Sequence, residues 1–146
     1  MIQKLKRKPK ILLVEDDWPT IELYREVFQR AGFEIEVLDW GQKAIDLLKD
    51  IREGKKEKPD LILLDLILPD INGTFILEEA RKYPQTKDII IFALTNYTDH
   101  ELNEELIKEG IDKILVKTAY TPSKLIAVCK ESLKMLDRRK FKKSKN

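Results

Sequence analysis

Five short apolar runs punctuate the chain: KILLVE from Lys10, FEIEVLD from Phe33, DLILLDL from Asp60, DIIIFALT from Asp88 and DKILVKT from Asp112. Four are nearly continuous in Val, Ile and Leu, the mark of strands covered on both faces in a parallel sheet. The second alternates apolar with acidic positions, which suits an edge strand. Between the runs, apolar residues recur at three and four positions, the period of a helix with one buried face. The first such segment follows Asp17, carries Pro19 in its first turn, buries Ile21, Tyr24, Val27 and Phe28 and stops at Gly32. The second puts Ala44, Ile45, Leu48 and Ile51 on one face before the charged loop REGKKEKPD. Three more are expected from Gly73 to Tyr83, from Asp99 to Glu109 with Gly110 as the stop, and from Pro122 to about Arg139. Strand and helix alternating five times predict an open α/β sheet with right-handed crossovers.

In such sheets ligands gather at the carboxyl ends of the strands. That rule collects Asp16 and Asp17 after the first strand, Asp65 at the end of the third, Thr95 at the end of the fourth and Lys117 after the fifth. Clustered carboxylates raise one another's pKa and ionise together only when a cation joins them. A set of oxygen donors without sulfur or imidazole suits Mg²⁺. A phosphoryl group entering there would find its charge offset by the metal, Lys117 and Thr95, with a carboxylate as nucleophile. Asp65 is the natural choice, because it ends a central strand and is followed by LILPDING, whose turn residues can wrap a site. Asp16 and Asp17 then serve the metal, and Glu15 is expected to point the other way because strand residues alternate faces.

Composition narrows the class without changing this picture. The 146 residues, 42% hydrophobic and 37% charged, suffice for one domain with a sizeable core. No apolar run approaches the length of a membrane span and the N-terminus lacks an apolar signal stretch, so a cytoplasmic location is expected. Cys129, the single cysteine, falls in a helical apolar pattern and reads as a small core residue. His100, the single histidine, reads as a surface residue; Trp18 is expected to flank the acidic pair, and Trp40 to pack between strand two and helix two. The net charge of +2 is unevenly spread: residues 1–10 hold five basic side chains and no acid, and residues 137–146 hold six against one. Basicity lives in the ends, read as a tail over 1–8 and a tail over 137–146 around a domain at 9–136.

The motifs LLVEDD, PDLILLDLILPDINGTFIL, IIIFALTN and DKILVK, in this order and at these separations, resemble the response-regulator receiver domain of two-component signalling across about residues 9 to 136. The resemblance implies a flavodoxin-like (βα)₅ sandwich, a three-layer fold with strand order 2-1-3-4-5. It implies that Asp65 accepts phosphate from a histidine kinase or a histidine phosphotransfer protein. It further implies that Asp17, Asp65 and the main-chain carbonyl of Ile67 ligate Mg²⁺, with Asp16 assisting, and that Thr95 and Lys117 bind the phosphoryl group.

Some positions depart from the family pattern: Ile114 where an aromatic is usual, Thr118 in place of a proline after the lysine, and Asn96 after the switch threonine. The Lys117–Thr118 bond is expected trans. Only about ten residues, mostly basic, follow the expected last helix, so no DNA-binding module is expected there. The expected protein is a monomer or weak dimer, not an enzyme, that signals as a stand-alone switch to a target through helix four, strand five and helix five. Two other readings stand beside it. A Mg²⁺-dependent phosphohydrolase using Asp65 would want a second acid where Ile67 stands, and a pure interaction module would have no need of the retained triad, hydroxyl and lysine.

Overall fold

The computed structural model describes residues 7–96 and 99–145, with side chains as far as Lys134. Its elements run in the order β1 (Lys10–Val14), α1 (Trp18–Arg30), β2 (Glu34–Leu38), α2 (Gly41–Arg52), β3 (Leu61–Asp65), α3 (Gly73–Arg81), β4 (Ile90–Thr95), α4 (His100–Lys108), β5 (Lys113–Val116) and α5 (Pro122–Lys145). The strands form one sheet of order β2-β1-β3-β4-β5 with every pairing parallel. β3, at the centre, is buried at all five positions. β2, at one edge, is exposed or half-buried throughout, as its alternating sequence requires.

Strand periodicity sorts the core into two layers. Ile11, Leu13, Leu61, Leu63, Phe92, Leu94 and Leu115 meet Ile21, Tyr24 and Phe28 of α1 and Leu125 and Cys129 of α5. The alternate residues, among them Leu12, Val14, Ile62, Leu64, Ile91 and Ala93, meet Ala44 and Leu48 of α2, Ile76, Leu77 and Ala80 of α3 and Leu106 of α4. The result is a helix–sheet–helix sandwich. Truncating one such leucine to alanine would cost about 2–5 kcal/mol, because close packing leaves little room for collapse.

Helix ends follow local chemistry. Asp17 caps α1, and α1 and α4 stop just before Gly32 and Gly110, whose φ values of +93° and +92° suit glycine. Arg81, leaving α3, fans across the base of the sheet: Nε donates to the Gly110 carbonyl (3.0 Å), Nη1 to the carbonyls of Lys87 (2.9 Å) and Ile89 (2.7 Å), and Nη2 to Asp112 (3.0 Å).

Two expectations change. Trp40 does not pack between strand two and helix two; it is 46% exposed at the N-cap of α2, where the chain leaves the sheet. The backbone of α5 continues to Lys145, past the expected stop near Arg139 and through nearly all of the stretch read as a C-terminal tail. Residues 1–6 of the N-terminal tail lie outside the described residues, whereas Arg7 forms a two-pronged pair with Asp60 (2.9 and 3.1 Å). Cys129 is buried in the core, and His100 is a surface residue paired with Glu104 at 3.1 Å. Among the described residues no helix is long and apolar enough to cross a membrane.

Candidate functional site

The carboxyl edge of the sheet gathers charged groups on the side facing α1 and α5. Glu15, Asp65 and Lys117 each stand two residues beyond an inward-facing leucine of that layer, Leu13, Leu63 and Leu115. A period of two therefore aims all three side chains the same way. Parallel pairing then brings them together: β1 pairs with β3, and Lys117 opens a 3₁₀ turn, Lys117–Ala119, directly after β5.

Lys117 Nζ lies 2.8 Å from Glu15 Oε2 and 3.4 Å from Asp65 Oδ2, so one ammonium bridges two carboxylates across 102 and 52 residues of sequence. The other oxygens are also engaged. Glu15 Oε1 accepts the Asp17 amide at 3.2 Å, and Asp65 Oδ1 accepts the Ile67 amide at 3.0 Å, which fixes the plane of the Asp65 carboxylate. Glu15 is fully buried and Asp65 nearly so, while Asp16 is exposed at the rim.

Burial sets the protonation balance. It pushes the Glu15 carboxyl up to about 7, against the hydrogen bond from Lys117, and the neighbouring Asp65 adds to the rise. On Lys117 burial works against the charged form, but Glu15 and Asp65 outweigh it and hold the ammonium above its ordinary pKa. The two directions agree: one positive charge shared by two carboxylates fully compensates only one of them, so the lysine stays charged while the buried Glu15 carboxyl holds its proton more readily than an exposed one.

Oxygens of Glu15, Asp16 and Asp65 lie within 4.8 Å of one another. Three carboxylates, with neither sulfur nor imidazole, form a hard-oxygen set that fits Mg²⁺. The expectation that Glu15 points away is thus overturned. It rested on counting faces from the acids instead of from the buried leucines, and Glu15 is the acid deepest in the site. Asp17 is not brought into the group; its carboxylate accepts the Thr20 amide (3.2 Å) and the Thr20 hydroxyl. These bonds hold its carboxyl below the usual range. An acid at the start of a helix satisfies orphan amides there, and that role has taken Asp17.

Thr95 and Ile67 stand at the same carboxyl edge of the sheet, at the end of β4 and just past β3. Thr95 is buried at the end of β4, in register with Val116, the residue before Lys117. Ile67 is 60% exposed, its backbone bridged antiparallel to Asn72. Trp18 is exposed beside the acids at the start of α1. Ile114 is partly buried against the layer of α2, α3 and α4. The Lys117–Thr118 bond is trans. Residues 97 and 98, in the segment after Asn96, lie outside the described residues.

Known proteins resemble this chain in sequence and fold. The sequence matches the family model of the response regulator receiver domain over residues 11–130. It is 37% identical over 108 residues to the transcriptional regulatory protein CpxR of Escherichia coli (strain K12), a match covering 74% of this chain and 42% of CpxR. The chain thus spans about half the length of the curated relatives it matches. Among solved structures it is similar to a CheY-like response regulator receiver domain protein from Methanospirillum hungatei JF-1, with TM-score 0.77, 26% identity, and 91% of this chain and 99% of that one covered. It is also similar to the phosphorylated cyanobacterial phytochrome response regulator RcpA, with TM-score 0.72, 27% identity, and 84% and 89% covered. The family match runs through β1 to α5 and takes in every group gathered at the carboxyl edge, and the chain belongs to the response regulator receiver domain family.

Proposed function

We propose that Asp65 accepts a phosphoryl group from a phosphohistidine of a histidine kinase or a histidine phosphotransfer protein, and that the phosphorylated form signals by protein–protein contact. The observation that carries this reading is the Lys117 ammonium bridging Asp65 and Glu15 at the carboxyl edge. It is a cation already placed where charge on an incoming phosphoryl group must be offset.

In the transfer, an Asp65 carboxylate oxygen forms the new O–P bond as the P–N bond of the phosphohistidine breaks. The electron pair stays on the imidazole nitrogen. The Ile67 amide holds the attacking carboxylate in place through Oδ1. Lys117 turns from the carboxylates to the phosphoryl oxygens, and the Thr95 hydroxyl, on the neighbouring strand, donates a further hydrogen bond to them.

Glu15, Asp16 and Asp65 would hold Mg²⁺, with the Ile67 carbonyl completing the protein ligands. The ion supplies neutralisation of the phosphoryl charge when bound. A cytoplasmic site of exchange goes with this reading, and among the described residues no helix is long and apolar enough to cross a membrane. By analogy of fold, the face of α4, β5 and α5 is the surface that a downstream target reads.

Labelled acetyl phosphate with Mg²⁺ tests the reading. Wild type should take up acid-stable, base-labile label. The Asp65→Asn variant should take up none. Equal labelling of both would assign the phosphoryl group to another residue.

A further inference from the structure

The loop between β3 and α3 is tied down at two places. At its base the Gly73 amide donates to the Leu66 carbonyl at 2.9 Å, next to the bridge between Ile67 and Asn72. A Cβ on Gly73 would lie 2.6 Å from the Asp65 carbonyl oxygen, so glycine alone lets the chain return this close to the phosphoacceptor's own backbone. At its tip Asp70 reaches a different element: Oδ1 accepts the Gly41 amide at 2.8 Å and Oδ2 the Gln42 amide at 2.9 Å.

Those amides open α2, whose own N-cap residue, Trp40, makes no side-chain cap. The first amides of a helix need acceptors. A cap from residue 40 would serve α2 alone, whereas a cap drawn from the loop tip also fixes the loop. Gly41 is fitted to the same contact, since a Cβ there would stand 2.9 Å from the Ile71 Cβ and 3.2 Å from Asp70 Oδ1. The approach of the loop to α2 is therefore specified from both sides.

On the reading of Asp65 as phosphoacceptor, we propose that Asp70 is a positioning residue for that site: by clamping the tip of the loop to the first turn of α2, it fixes the backbone of Asp65 to Ile67. The Ile67 amide orients the Asp65 carboxylate, so a loose tip loosens the phosphoacceptor. Outer partners that orient a metal-binding carboxylate are typically worth a factor of about 10–100 in affinity.

Three variants of the full chain test this. Asp70→Ala removes the clamp. Asp70→Asn removes the charge but keeps a carbonyl acceptor for one amide. Gly41→Ala changes no charge and favours the helix, yet drives a methyl into Ile71. Two readouts are used: Mg²⁺ affinity by calorimetry, and amide exchange at Ile67 in metal-free protein. Asp70→Ala and Gly41→Ala should each weaken Mg²⁺ binding about tenfold and speed exchange at Ile67, and Asp70→Asn should stay within about threefold of wild type. If Asp70→Ala fails to fold, Gly41→Ala decides alone. Equal losses in Asp70→Ala and Asp70→Asn with Gly41→Ala unchanged would make the effect one of charge and overturn the clamp, as would unchanged exchange at Ile67. Exchange is read without phosphoryl transfer, so a wild type that takes no phosphoryl group would sink the phosphoacceptor reading while the clamp is judged separately.

Discussion

Glu15 makes the metal-free protein sensitive to pH in an unusual direction. Its carboxyl titrates near 7 in the folded protein against an ordinary 4.5, chiefly through burial. A raised folded-state pKa means that the folded form binds the proton more tightly than the unfolded chain. Stability from this group is therefore fully present below about 4.5 and is lost as pH rises through about 7. Each unit is worth about 1.4 kcal/mol, and about two of those units fall between pH 5 and pH 8, so a loss on the order of 2 kcal/mol across that range is expected. For a domain of this size that is a fall of about 4–8 °C in Tm. The perturbation is Glu15→Gln, and the assay is thermal unfolding followed by circular dichroism in a chelating buffer across that range. Other groups contribute to both curves, so the difference between wild type and variant isolates Glu15. Wild type should lose ground to Glu15→Gln as pH rises. Parallel curves, or wild type gaining ground, would refute the reasoning and show that Lys117 keeps Glu15 ionised throughout.

Two further outcomes follow from the same geometry. Asp17→Ala should cost about 1 kcal/mol through loss of the α1 cap and leave Mg²⁺ affinity within about twofold, while Asp16→Asn and Glu15→Gln should each weaken Mg²⁺ binding about tenfold or more; calorimetry with urea unfolding separates the two classes. Arg81→Ala should lower stability by about 2–3 kcal/mol in urea unfolding, because the carbonyls of Lys87, Ile89 and Gly110 lose a shared donor, without changing Mg²⁺ affinity.

The strands were readable because both faces of the sheet are covered, so burial writes itself as unbroken Val, Ile and Leu. Strand order came from resemblance, since periodicity sets an element's faces but not its neighbours. Asp65, Thr95 and Lys117 were legible as strand-end residues, and the structure sets them at the carboxyl ends of β3, β4 and β5. The three acids Glu15, Asp16 and Asp17 were harder. Helix caps and hard-metal ligands are the same residue types, and the choice among adjacent acids depends on where β1 ends. Counting by twos from buried Leu13 selects Glu15, a signal present in the sequence but masked by the expectation that the paired aspartates act together. Trp40 misled in a similar way: a large apolar side chain suggests burial, yet this one sits where the chain turns out of the sheet. Asp70 read only as a turn residue, because its partners lie 28 and 29 residues away and are backbone amides, which no sequence pattern marks.

The central claim is that Asp65 is the phosphoacceptor, and trapping the acyl phosphate tests it most directly. Wild type and Asp65→Asn would be incubated with acetyl phosphate and Mg²⁺, reduced with borohydride, and mapped by peptide mass spectrometry. An acyl phosphate on Asp65 is converted to homoserine at that position, so the account predicts homoserine at residue 65 in wild type and nowhere in the variant. Wild type without the product, or with the product at Asp16 or Glu15 instead, would contradict it.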